Sequence, residues 1–207
     1  MADVAVEVLT IGHSTLPYER FIALLREASV TAVADVRTAP YSRHFPHFNR
    51  DTLRHELRYD NIAYVFLGEE LGGRPQDKCF FHDGVADYEK MARTEEFAKG
   101  LGRVVEGAKK YRLAMMCSEH DPLDCHRCLL VGRALHQRGV TVRHILSSGK
   151  IIDHSAIEAK LLELMGKDDA DLFEPIEERL AVAYRDRAFK VAFTERKTDA
   201  EKLVDVE

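Results

Sequence analysis

The strongest constraint on this chain is an alternation of short apolar runs with longer amphipathic segments. Residues 6–11 (VEVLTI), 31–36, 62–67, 112–117 (RLAMMC) and 141–146 read as strands whose near-continuous apolar character suits burial on both faces. Helical periodicity fills the gaps. Residues 18–28 place Phe21, Ile22, Leu24, Leu25 and Ala28 on one side. Residues 51–58 form a short helix with Asp51 as cap, and Thr94 caps a helix running to about residue 110. Two more helices are expected over residues 125–137, stopped by Gly139, and 155–165. Strands joined by helices give a three-layer αβα sandwich with a mainly parallel sheet of about five strands. At about 150 residues per domain, 207 residues make one such domain plus an appendage. The boundary is expected near Lys167, where the composition turns highly charged. Residues 1–167 form the α/β domain, and residues 168–207 a helical extension with an amphipathic stretch over 175–194.

Composition narrows the function classes. With 45% hydrophobic and 31% charged residues the chain is neither disordered nor unusually apolar. No apolar run approaches the roughly 18 residues of a membrane span. Met1-Ala2-Asp3-Val4 lacks the basic and apolar regions of a secretory signal, so a cytoplasmic protein without a membrane partner is expected. The net charge of −5 argues against general polyanion binding, so any anion site must be local. The four cysteines, Cys79, Cys117, Cys125 and Cys128, are then expected to be reduced, metal-bound or reactive rather than a disulfide framework.

Ligands of open α/β sheets bind beyond the carboxyl ends of the strands. Three strand ends here carry polar residues: Gly12-His13-Ser14; Asp35-Val36-Arg37 with Pro40 and Ser42; and Cys117-Ser118-Glu119, followed by Pro122 and Cys125-His126-Arg127. The turn Gly72-Gly73-Arg74-Pro75 is suited to bring Arg74 to the same edge. His13, Glu119, Cys125 and His126 are the candidates for chemistry. Ser14, Arg37, Ser42, Arg74, Cys117 and Arg127 are the candidates for substrate binding, the arginines as forked donors to phosphate or carboxylate. The blander reading of His13 is a hydrogen bond at a helix entry, and that of Cys128 is simple packing beside Leu129 and Leu130.

The same residues carry a resemblance. T-I-G-H-S at Thr10 to Ser14, D-V-R with P-x-S at Asp35 to Ser42, L-G-G-R at Leu71 to Arg74, M-C-S-E with P-x-D-C-H-R at Met116 to Arg127, and V-x-H-I at Val142 to Ile145 resemble the domain of unknown function 488 (DUF 488) family. The resemblance spans about residues 6–150. It implies an α/β sandwich and no particular activity. The family pattern has Cys-His-Arg without a further cysteine, so it implies no role for Cys128.

Three chemistries stay open. C-x-x-C at a helix start suits a thiol-redox or sulfur-transfer protein built on Cys125. A zinc reading would draw on Cys117, Cys125 and Cys128 with His126, Cys79 or His82. Structural zinc wants two paired knuckles and only one is present, so no metal and no cofactor is assigned. Neither a Walker loop nor G-x-G-x-x-G occurs. Residues 37–58 hold five arginines and three histidines with interleaved Tyr41, Phe45 and Phe48, which suits phosphate and base contacts. The leading expectation is a small enzyme, hydrolase or transferase, acting on a small anionic, phosphate-bearing or nucleotide-like substrate. The alternatives are a non-catalytic nucleotide or nucleic-acid binding module and the thiol protein.

Overall fold

The computed structural model of the chain describes residues 6–168 and 174–195. Its first half runs β1 (Glu7–Gly12), α1 (Tyr18–Glu27), β2 (Ala32–Asp35), α2 (Arg50–Tyr59), β3 (Ala63–Phe66) and a short α3 (Gly68–Leu71). A two-stranded ribbon of β4 (Phe81–His82) and β5 (Val85–Ala86) follows, then α4 (Tyr88–Met91), α5 (Glu95–Ala108) and β6 (Leu113–Cys117). A wide π-type turn over Arg127–Gly132 leads into α6 (Arg133–His136), β7 (Thr141–Ile145), β8 (Ile151–Asp153), α7 (His154–Leu164) and α8 (Ile176–Val191).

The main sheet has six strands in the order β3-β2-β6-β1-β7-β8. All neighbours are parallel except the pair β7 and β8. The strand beyond the expected five is β8, a three-residue hairpin arm too short to show in the pattern. Its turn relies on Gly149 at φ +89°, a conformation glycine adopts without a side-chain penalty. Alternate strand residues divide between two cores. Leu9, Ile11, Val33, Ala114 and Met116 pack with Phe21 and Leu24 of α1 and Leu53 and Leu57 of α2. Val8, Ala32, Ala34, Leu113 and Met115 pack with α5, α7 and α8. The result is the αβα sandwich that the alternation predicts.

Two local expectations need correction. Asp51 does not cap α2; it lies in the first turn and Asn49 stands at the cap position, with its Oδ1 accepting from the Ser42 amide at 2.7 Å. The segment expected as one helix over residues 125–137 opens instead with the π-type turn. Thr94 does cap α5, its Oγ1 accepting from the Phe97 amide at 3.1 Å. No helix among the described residues is long and apolar enough to cross a membrane.

A buried polar chain ties both halves of the second core together. Thr10 Oγ1 lies 2.8 Å from His144 Nδ1, and His144 Nε2 lies 2.9 Å from His154 Nδ1. His154 Nε2 lies 2.9 Å from the Tyr184 hydroxyl, which donates to Glu158 Oε1 at 3.0 Å. One assignment of protons satisfies every link: Thr10 donates to His144, His144 to His154, and His154 to Tyr184. Both imidazoles are then neutral with all four ring nitrogens in use. Burial pushes His154 down to about 3 and His144 well below the usual histidine range.

The topology also locates a crevice. From β2 the chain moves outward to β3 across the α2 face; from β6 it moves the other way to β7 across the opposite face. Connections departing in opposite directions open a gap at the carboxyl ends of β2 and β6. Register places Gly12 beside Cys117 and Asp35 beside Met116 at this level.

Candidate active site at the strand ends

A cavity of about 320 Å³ occupies that crevice. Its floor holds Cys117 from β6 and Cys125 and His126 from just before the π-type turn. Arg37 and Thr38 border it from β2, and Gly73 and Arg74 from the glycine turn. Ser118, Glu119 and Asp124 come from the loop after β6, Tyr88 from α4, and Val191 and Phe193 from the end of α8.

At the floor, the Nδ1 of His126 faces two sulfurs, Cys117 Sγ at 3.5 Å and Cys125 Sγ at 3.9 Å. The other ring nitrogen, Nε2, lies 2.8 Å from the Val36 carbonyl oxygen. A carbonyl only accepts, so Nε2 carries a proton and donates to Val36, and Nδ1 is the nitrogen that faces the sulfurs. Gly73 allows the ring to sit close to the chain: a Cβ there would lie 2.6 Å from His126 Cγ. Both thiols are buried and free. Burial opposes ionisation of Cys125, yet the hydrogen bond from Cys117 and the charge of Arg127 hold it well below the usual thiol range. The same hydrogen bond, with burial, pushes Cys117 well up. The Arg127 amide also points at Cys125 Sγ, at 3.4 Å. That N–H therefore serves the cysteine.

The arginines differ sharply. Arg37 is buried, and its fork is spent on Asp35: Nε donates to Oδ1 at 2.9 Å and Nη2 to Oδ2 at 2.6 Å. Its Nη2 also donates to the Phe48 carbonyl at 2.8 Å, and its Nη1 lies 3.2 Å from His13 Nε2. Arg127 is buried as well, its Nη1 and Nη2 donating to the carbonyls of Glu119 (2.6 Å) and His120 (2.9 Å). Gly12 makes room for it, since a Cβ there would sit 2.9 Å from both terminal nitrogens. Arg74 is the exposed one, its guanidinium 5.2 Å from the centre of the Phe193 ring.

His13 lies behind Arg37 and does not line the cavity. It stacks on Phe48 at 4.1 Å, and its Nδ1 donates to the Ser14 carbonyl at 2.9 Å. Burial and the neighbouring Arg37 charge lower it to about 4, so it stays neutral and accepts from Arg37. Ser14 sits at φ 47° with its amide on the Ser118 carbonyl, bracing the same strand end. Ser42 lies in the loop outside the cavity, its Oγ accepting from the Phe45 amide at 3.2 Å. Glu119 is exposed at the mouth. Of the ten residues singled out by sequence, six line the cavity: Arg37, Arg74, Cys117, Glu119, Cys125 and His126. His13, Ser14 and Arg127 support them from behind.

The C-x-x-C pairing gives way to a different one. Cys125 meets Cys117 and His126, whereas Cys128 groups with His144 and His154. Burial pushes the Cys128 thiol well up, as a packed core cysteine requires. Cys79 and His82 are exposed and away from both groups. Sequence reasoning missed Tyr88, Thr38 and Phe193. Phe193 is brought in because the end of α8 adds to the ribbon: the Ala86 amide donates to the Phe193 carbonyl and the Glu195 amide to the Gly84 carbonyl, each at 2.8 Å. Arg187 of α8 also pairs with Asp124. In the basic segment, Arg43, Arg50, Arg54 and Arg58 are exposed, with Arg50 4.7 Å from the centre of the Phe66 ring.

A family model described as Domain of unknown function DUF488 matches residues 17–134. The matched span holds the cavity floor, Arg37 and Arg74, and leaves out His13, Ser14 and the α8 wall. No curated protein and no solved structure matches the chain.

Proposed function

This chain belongs to the DUF488 family, and we propose that it is an enzyme of the hydrolase or transferase class that takes a small anionic, phosphate-bearing or nucleotide-like substrate into the strand-end cavity. One observation carries the reading. An exposed guanidinium, that of Arg74, and a buried cluster of two cysteines and a histidine share one cavity of about 320 Å³. That volume suits a small ligand. Arg74 grips the anion, and the Phe193 ring beside it offers a face for a planar group. Cys125 and His126 lie at the reacting centre, with Glu119 at the mouth as the acid–base group nearest solvent. Arg37, His13 and Arg127 act as positioning residues, because the terminal nitrogens of both guanidiniums and the His13 ring are engaged within the protein.

The reading is tested by titrating the protein with inorganic phosphate and with a nucleoside monophosphate while following backbone amides by NMR. Shifts are expected at Gly73, Arg74 and residues 125–127. Arg74→Ala should weaken binding about 10- to 100-fold, the worth of one charge-assisted hydrogen bond of about 1.5–3 kcal/mol. Affinity unchanged in Arg74→Ala, or shifts confined to the basic α2 segment, would overturn it. The second outcome would favour the nucleic-acid binding alternative, whose affinity falls steeply with salt.

A further inference from the structure

We propose that Cys117, Cys125 and His126 bind a single Zn²⁺ ion whose fourth coordination position opens into the cavity. The inference deepens the enzyme reading and rests on it only for what fills that fourth position.

Distances make the first argument. In a tetrahedral site with Zn–S about 2.3 Å and Zn–N about 2.0–2.1 Å, a sulfur and a nitrogen ligand lie roughly 3.6 Å apart and two sulfurs roughly 3.8 Å apart. Here His126 Nδ1 lies 3.5 Å from Cys117 Sγ and 3.9 Å from Cys125 Sγ. All three donor atoms lie within 4.8 Å of one another. Two edges of one face of the tetrahedron are already close to the required length, and the third lies within 4.8 Å.

The second argument is the orientation of the histidine. A metal-binding imidazole needs one nitrogen free of its proton and the other donating to a fixed acceptor. In His126 the Val36 carbonyl engages Nε2 at 2.8 Å, which leaves Nδ1, on the sulfur side, as the nitrogen a metal would take in place of a proton. The Arg127 amide at 3.4 Å from Cys125 Sγ supplies the N–H···S contact that steadies a bound thiolate. Two thiolates and an imidazole form a donor set suited to zinc among the common divalent ions.

The third argument is access. All three side chains line the same cavity, so an ion held by them keeps one face toward it. Three protein ligands with an open position mark a catalytic zinc site rather than a structural one. A water or an oxygen of the anionic substrate held by Arg74 would take that position. Metal binding displaces the thiol protons to solvent, so no oxidant or reductant enters the step.

The second cluster shows what an unsuitable site looks like. Cys128, His144 and His154 are equally close, but their imidazole nitrogens are all engaged by Thr10, by each other and by Tyr184. It therefore serves as an internal control.

The test uses the full-length protein kept in a non-chelating reductant. Metal content after dialysis against Zn²⁺ should approach about one ion per chain, and Co²⁺ should give tetrahedral ligand-field bands with a thiolate charge-transfer band. Cys117→Ser, Cys125→Ser and His126→Ala should each lose those bands, and Cys128→Ser should keep them. X-ray absorption on the zinc-loaded wild type should show two sulfurs, one imidazole nitrogen and one further light atom. This second measurement needs no variant to fold. Absence of bound metal, bands that survive both Cys117→Ser and Cys125→Ser, or bands that require Cys128 would overturn the proposal. Arg74→Ala should retain the metal while losing phosphate affinity. Zinc binding without phosphate binding sinks only the enzyme reading, and phosphate binding by a chain that takes no metal sinks only this one.

Discussion

Mild acid should strongly destabilise this protein, with a large part of its stability lost between pH 6.5 and 5. Three imidazoles are held neutral by burial: His13, lowered to about 4; His154, lowered to about 3; and His144, lowered well below the usual range. In the unfolded chain each takes a proton near pH 6.5. Unfolding therefore binds protons below that pH, and stability rises with pH across the window. The contribution is complete above pH 6.5 and is lost as the pH falls toward the folded values. Each imidazole contributes up to about 1.4 kcal/mol per pH unit, so His13 and His154 together remove roughly 4 kcal/mol by pH 5, and His144 adds to the loss in the same direction. That is a large share of the total stability of a domain, about 5–15 kcal/mol. Urea midpoints measured at pH 7.5, 6, 5.5 and 5 check this. His154→Gln should flatten the pH slope by one proton, even though its midpoint at pH 7.5 falls. Midpoints that barely move between pH 7.5 and 5 would show that these imidazoles are not held neutral.

Arg37→Met should be the most damaging single change near the cavity. Asp35 is fully buried, and its two carboxylate oxygens accept from the Arg37 amide, the Arg37 guanidinium and the Tyr64 hydroxyl. Removing the cation leaves a carboxylate in the sheet with no countercharge beside it. Breaking a buried pair in this way costs about 3–5 kcal/mol, more than deleting an exposed pair. His13 would lose the donor to its Nε2 and the Phe48 carbonyl would lose Nη2. Tyr64→Phe removes one hydrogen bond of the same carboxylate but keeps its countercharge, and should cost less, about 1.5–3 kcal/mol. Equilibrium denaturation of the two variants beside wild type separates these magnitudes. A loss in Arg37→Met no larger than in Tyr64→Phe would mean that the pair contributes little and that Arg37 is free to serve a ligand. Because Arg37 lies across from His126 through Val36, a destabilised Arg37→Met should also show altered His126 ring resonances.

Much of this architecture was legible in the sequence because it is written in local periodicity. The run L-A-M-M-C announces a strand buried on both faces, and β6 is buried at all five positions. The amphipathic segment after His13 becomes α1, and Thr94 caps α5 through its hydroxyl. The rule that ligands gather at strand carboxyl ends brought Cys117, Glu119, Cys125, His126, Arg37 and Arg74 to one edge, and all six line one cavity. These features depend on interactions within a few residues and on the handedness of strand connections.

What the sequence could not contain was the identity of partners across the fold. Spacing joined Cys125 to Cys128 because the two are three residues apart. The wide turn and the parallel register instead bring Cys125 to Cys117 and leave Cys128 with His144 and His154. Arg37 and Arg127 look like ligand clamps in a list of residues. Only the positions of Asp35, Phe48, Glu119 and His120 show that their terminal nitrogens are already engaged. His13 stands at a strand end by sequence, and the stacking of Phe48 and the Arg37 guanidinium place it behind the cavity. Phe193 reaches the site through a bridge from α8 to the ribbon that no local pattern encodes. Local propensity and periodicity therefore determined the elements and the edge on which chemistry gathers. Which donors remain free there was decided by long-range packing and by the requirement that each buried polar group find a partner.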